Sequence, residues 1–118
     1  MADTRPEVWM RGPVAGYEAL LQPLVHSLLQ VREDLEGLAA RVPAGHVFAR
    51  PGGAGSIAFH VRHIGGATDR LLTYARGESL TARQITALKA ESQETTETLG
   101  EIVAGTLERL EHALMQIR

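Results

Sequence analysis

Apolar residues near the start of the chain recur at alternating spacings of four and three, and this period constrains the fold more than any other feature. The series is Tyr17, Leu21, Leu24, Leu28, Val31, Leu35, Leu38 and Val42. Such spacing gathers side chains on one face of an α-helix. Pro23 favours a helix that begins near Gln22, while Pro43 and Gly45 predict that it ends at Val42.

A second helix is predicted to follow the glycine-rich segment 43–55. Ser56 is a suitable N-cap for this helix, and Gly77 marks its end. Its predicted inward face carries Ile57, His60, Ile64, Ala67, Leu71 and Tyr74. In this series His60 occupies a position where the pattern would otherwise place an apolar residue.

The remainder of the chain predicts a short helix and then a long one. Thr81 is a plausible cap for a connecting helix from Ala82 to Glu91, whose charges favour a surface position. A third long helix is predicted from about Ser92 to the end of the chain. Its predicted inward face carries Leu99, Val103, Thr106, Leu110, Ala113 and Ile117.

These patterns together predict an all-α fold. No short run with the period-two alternation of a β-strand occurs, and aromatic residues make up only 4% of the chain. A length of 118 residues indicates a single helical domain spanning residues 1–118. The expected architecture is an up-down antiparallel bundle of three long helices plus the short connecting helix. Because the apolar faces of all three long helices are wide, a fourth packing partner is expected to cover them.

Charge and composition exclude several classes of function. The net charge is −2, and the twelve basic residues are scattered among fourteen acidic ones, so no nucleic-acid partner is expected. The chain has no cysteine and therefore no thiolate ligand or nucleophile. It also has no G-x-S-x-G motif of a nucleophile elbow. No apolar run reaches the ~18 residues of a membrane span. We therefore expect no membrane contact, and we predict a cytoplasmic location.

The segment "SIAFHVRHIGG", residues 56–66, contains the main candidates for chemistry. At about 100° per residue, His60 falls on the predicted inward face and His63 on its border. One interpretation is a pair of structural histidines at the edge of the core. The other is half of a divalent-metal site, with space provided by Gly65 and Gly66. A catalytic metal site needs about three protein ligands.

No third ligand is evident elsewhere in the sequence. The remaining histidines, His26, His46 and His112, are predicted to point outward or to lie in a loop. No carboxylate forms a clear pair with His63, and Asp69 lies on a different face of the helix. The residues alone therefore leave both interpretations open.

The segment "RPGGAGSIAFHVRHIGGATDRLLTYARG", residues 50–77, resembles the DinB-like superfamily of four-helix bundles. The shared pattern is a glycine-rich turn followed by a helix of the form S-I-x-x-H-x-x-H-I/L-x-G. The resemblance implies a nickel or zinc ion held by three histidines, with His63 as one ligand and His60 as a neighbour in the pocket. It also implies thiol-dependent transferase or hydrolase chemistry, in which small thiols such as bacillithiol, mycothiol or glutathione take part.

The sequence departs from the family pattern in one respect. The other two ligands of the family lie in an H-x-x-x-H motif on a fourth long helix, and this sequence contains no such motif before its last residue, Arg118. We therefore expect a truncated or naturally short form that is inactive alone. Burial of the exposed apolar face predicts a homodimer. The alternative function is a non-catalytic helical module for self-association.

Overall fold

The computed structural model describes residues 4–118, so the first three residues of the predicted domain lie outside the described part. Its α-helices are α1 Gln22–Leu35, α2 Leu38–Arg41, α3 Ile57–Ala75, α4 Ala82–Ala90 and α5 Leu99–Gln116. Short 3₁₀ turns occur at Val8–Arg11, Ala19–Leu21, Ala44–His46 and Pro51–Gly53. Residues 4–118 contain no strand. The prediction of an all-helical fold is confirmed.

Side-chain caps fix where the later helices begin. The hydroxyl of Ser56 accepts a hydrogen bond from the backbone N–H of Phe59 at 3.0 Å. Thr81 forms a reciprocal capping box with Gln84 at the start of α4. Each cap satisfies backbone donors that the first turn of a helix leaves without partners. Ser56 and Thr81 are both confirmed as the caps that the sequence predicted.

Two predicted helix boundaries are wrong. The first helix ends at Leu35, and the chain turns through Gly37, whose φ of 78° lies in the left-handed region, before α2 begins. Glycine adopts this conformation without the steric cost that other residues incur. The last helix begins at Leu99, later than predicted, because Thr98 forms a capping box with Glu101. The apolar period thus continued across positions where the backbone turns.

Helix α5 lies at the centre of the molecule and packs against both α1 and α3, which make few contacts with each other. Leu110 of α5 and Val25 of α1 are fully buried. The buried core comprises Val25, Leu28, Leu35, Val47, Ala58, Val61, Leu99, Ile102, Val103, Leu110, Ala113 and Leu114. The predicted apolar face of the last helix is therefore confirmed as the main packing surface.

Helix α1 runs antiparallel to α5. Tyr17, just before α1, donates from its hydroxyl to the backbone carbonyl of Leu114, near the end of α5, at 3.0 Å. At the other end, Ala39 follows α1 and lies near Gly100 at the start of α5. The start of one helix thus lies beside the end of the other.

Helix α3, in contrast, runs in the same direction as α5. The hydroxyl of Thr106 donates to the carbonyl of Val61 at 2.8 Å, in the first half of each helix. Arg76, which follows α3, donates to the side chain of Gln116 at the end of α5. Residues 76–98, which include α4, carry the chain back to the end where α3 began. The bundle therefore contains one crossover connection in place of a simple up-and-down order.

Helix α3 presents to α5 a face that overlaps the predicted one only in part. Ile57 and Ile64 of the predicted face are partly buried and pack against the core. The buried positions include Ala58, Val61 and Gly65, whereas Leu71 and Tyr74 of the predicted face are 66% and 55% exposed. A Cβ added to Gly65 would lie only 3.1–3.4 Å from side-chain atoms of α5. Small residues on this face thus allow α3 and α5 to approach closely, and the second apolar face remains at the surface.

The molecule is a flat slab with principal extents of 42 × 41 × 23 Å. Its thinnest dimension is about twice the 10–12 Å diameter of one helix. None of the described helices has the length and apolar character needed to cross a lipid bilayer.

Substitution of Leu110 by alanine tests the central role of α5. Leu110 is fully buried, so Leu110→Ala should lower the free energy of unfolding by about 2–5 kcal/mol. Urea denaturation followed by circular dichroism measures the change. Leu20→Ala is the matched control, because Leu20 is 92% exposed, and it should change stability by less than about 0.5 kcal/mol. Equal losses in both variants would contradict the described packing.

Candidate functional site

His63 is held in one orientation by a buried carboxylate. Its Nδ1 lies 2.9 Å from Oε1 of Glu91, which directly follows α4. The Glu91 side chain is only 4% exposed, whereas that of His63 is 47% exposed. A carboxylate accepts at this contact, so it favours a proton on Nδ1, and in the neutral imidazole the lone pair is then on Nε2. The contact therefore favours the tautomer that can bind a metal through Nε2.

Arg70 balances the charge of the buried Glu91. Its Nη1 donates to Oε2 of Glu91 at 2.6 Å, and its side chain is also mostly buried. His63 and Arg70 are seven residues apart on α3, which places them two turns apart on the same side of the helix. Both carboxylate oxygens are thus occupied, as a buried charge requires.

Gly66 provides the space that this arrangement needs. It lies between His63 and Arg70 on α3, and a Cβ added to it would come within 2.1 Å of Oε2 of Glu91. No real Cβ contact is that short, so any other residue at 66 would displace the carboxylate. The sequence indicated open space beside the adjacent glycines, Gly65 and Gly66. In the structure, α5 packs against Gly65, and the side chain of Glu91 occupies the space beside Gly66.

Arg62 ties the segment after Glu91 to α3. Its guanidinium donates to the carbonyl of Gln93 at 2.7 Å, to the hydroxyl of Thr95 at 2.9 Å and to Glu97 at 3.0 Å. It also lies 5.5 Å from the centre of the Phe48 ring, within cation–π range. These contacts keep Glu91 beside His63 although 28 residues separate the two in sequence.

His60 does not face the core, and the prediction of an inward imidazole is wrong. His60 is exposed, because α3 packs against α5 through the opposite face of the helix. Phe59 lies beside both imidazoles: it stacks on His63 with a centroid distance of 5.3 Å and meets His60 edge-on at 5.2 Å. The two histidines thus share one exposed side of the helix with an aromatic ring.

The other histidines lie elsewhere. His46 and His112 are exposed, as predicted. His26 differs from its prediction, since it is half-buried and its Nε2 lies 3.0 Å from the carbonyl oxygen of Gly12. Within residues 4–118, no group of three or more His, Cys, Asp or Glu side chains is arranged to hold a metal ion.

Sequence reasoning missed both Glu91 and Arg70. Glu91 ends the short charged helix that was expected to lie at the surface, and nothing in the local pattern marks it as buried. The available signal was the Gly65–Gly66 pair inside a helix, between a histidine and an arginine on the same side. Each glycine inside a helix lowers its stability by about 1 kcal/mol relative to alanine, so such a pair indicates a position where close packing requires the absence of a side chain.

Comparison with known families places most of the chain in one group. Residues 27–118 match the model of the DinB superfamily. No curated protein and no solved structure matches the chain significantly.

Exchange of single helical glycines tests the geometry around Glu91. Gly66→Ala should displace the carboxylate from His63 and Arg70 and lower the free energy of unfolding by more than about 1 kcal/mol, because a buried ion pair is disrupted. Gly105→Ala is the control: a Cβ there meets nothing within 4 Å, so it should raise stability by up to about 1 kcal/mol. Urea denaturation compares the two. A stabilised Gly66→Ala variant would contradict the placement of Glu91.

Proposed function

Because this chain belongs to the DinB superfamily, we propose that it forms part of a divalent-metal-dependent enzyme in which His63 is a metal ligand through Nε2. The observation that carries the proposal is the contact between His63 Nδ1 and the buried carboxylate of Glu91. Histidine ligands almost always donate their second ring N–H to such a partner, which orients the ring and raises its basicity. Zinc or nickel suits an imidazole ligand.

The described residues fit one part of such a site and do not complete it. Residues 4–118 contain no set of three ligands, so the remaining ligands would come from a second copy, from a partner, or from polypeptide outside the described residues. His60 lies one turn before His63 and is proposed as a neighbour in the pocket and a secondary candidate ligand. We propose that this chain has no catalytic activity alone, and we assign no catalytic step through the metal.

The reaction class rests on the superfamily alone. We propose a transferase or hydrolase reaction that depends on a low-molecular-weight thiol, in the cytoplasm. When bound, the metal would supply Lewis acidity and lower the pKa of a bound thiol or water. The residues of this chain would orient the ligand: Glu91 fixes the ring of His63, Phe59 stacks against that ring, and Arg70 holds Glu91 in place by pairing with it.

Zinc and nickel binding by variants with one substitution each tests the metal proposal. His63→Ala should lower the amount of metal retained after equilibrium dialysis at least about tenfold, because a ligand is lost. Glu91→Gln should weaken binding by about 10–100-fold through loss of the orienting carboxylate. Elemental analysis of the dialysed protein gives the metal content.

The exposed His112 on α5 provides the matched control, and His112→Ala should retain as much metal as the unaltered protein. Two results would contradict the proposal. One is a complete protein or assembly, with the remaining ligands in place, that holds no zinc or nickel, and the other is a His63→Ala variant of it that holds as much as the His112→Ala control.

A second candidate function, self-association without catalysis, is favoured by a specific observation. The exposed face of α3 carries Leu71 and Tyr74 on the same helix as His60 and His63. A flat slab with an uncovered apolar helix face can bury that face against a second copy of itself. In this alternative both histidines lie at a dimer interface and have no chemical role.

Substitution on this face tests self-association. Leu71→Glu should convert a dimer to a monomer in sedimentation-velocity experiments, because a charge would be buried at the interface. Leu20→Glu alters an equally exposed leucine near the other end of the chain and should leave the dimer intact. A dimer that resists chelator favours the non-catalytic module, and a dimer that dissociates with chelator favours a metal shared between copies. A monomeric unaltered protein would contradict self-association.

A further inference from the structure

A cavity of about 490 Å³ lies between α3, α4 and α5. Its walls carry three arginines from three different helices, namely Arg70 of α3, Arg83 of α4 and Arg109 of α5. Its volume falls within the range of about 300–1,000 Å³ that is typical of small-molecule sites. The cavity lies beside Gly66, on the same helix as His63, and neither histidine of the α3 segment lines it.

Two of the three arginines have no partner among the described residues. Arg70 donates to Glu91, as described above. Arg83 and Arg109, in contrast, have neither a hydrogen bond nor an ion pair within residues 4–118. The one carboxylate in the lining, that of Asp69, accepts a hydrogen bond from Gln84 at 2.9 Å. The cavity therefore carries an excess of positive charge on a protein whose net charge is −2.

The stem of Arg109 is held in place by close packing. A Cβ added to Gly65 would lie 3.1 Å from Cδ and 3.4 Å from Cβ of Arg109, so the aliphatic part of the side chain rests on the backbone of α3. This contact restricts the side chain before any ligand binds. A restricted side chain loses less conformational entropy on binding, which favours affinity.

We propose that this cavity binds the carboxylate or phosphate group of a small-molecule anion through Arg83 and Arg109. A guanidinium presents a planar set of N–H donors that matches both groups in bidentate geometry. The small side chains of Ala87 and Ala90 line the same cavity and leave room for the rest of the ligand. The proposal does not depend on a metal at His63, since the groups that it uses are separate.

Binding of inorganic phosphate and of succinate to the intact chain tests the proposal. In low-salt buffer, titrations followed by amide chemical shifts should show saturable binding of at least one of these anions, with shifts concentrated in α4 and around residues 65–70 and 109. Arg109→Gln keeps the first two methylenes of the side chain and removes the charge, and it should lower the association constant about tenfold, as should Arg83→Gln. Arg109→Lys should restore part of the loss.

The control is Arg41→Gln, which makes the same change in net charge at an exposed arginine at the end of α2, outside the cavity lining. It should leave the association constant unchanged. Melting temperatures establish that all variants fold. A loss as large in Arg41→Gln as in Arg109→Gln would overturn the proposal, because binding would then follow net charge alone. Absence of saturable binding of both anions to the unaltered protein would also overturn it.

Discussion

The packing of α5 between α1 and α3 is the constraint on which the rest of the structure depends. The two outer helices make few contacts with each other and each packs against α5, while the Val8–Arg11 turn also covers α1. Leu110 and Ala113 are almost completely enclosed for this reason. The parallel direction of α3 and α5 follows from the long crossover, and the crossover in turn delivers Glu91 to the side of α3 that bears His63.

The sequence was sufficient to predict the helical class and several helix starts, because these depend on local chemistry. A hydroxyl at Ser56 or Thr81 caps the turn that follows it whatever the tertiary packing. The face of α3 that packs against α5 could not be predicted from local chemistry. Apolar residues occur on two of its sides, and the choice between them depends on the close approach to α5 that Ala58 and Gly65 permit.

The same limit explains the outcome at the candidate site. The border position of His63 followed from helical geometry, whereas the inward position of His60 was an error that followed from the wrong face. The partnership with Glu91 depends on a contact across 28 residues of sequence, which periodicity does not reveal. Arg70 connects the two proposed regions of the molecule, since it pairs with Glu91 and also lines the cavity that contains Arg83 and Arg109.

The crossover also sets how firmly the imidazole of His63 is held. In residues 76–98, Glu91 is the one residue that is buried. A segment with so little buried surface is expected to open locally at a lower free energy than the core, and amide hydrogen exchange would measure this difference. Each such opening that withdraws Glu91 also releases the ring. The orientation of His63 therefore persists only as long as the crossover stays closed, and its lifetime follows the local unfolding of this segment rather than the global stability of the bundle.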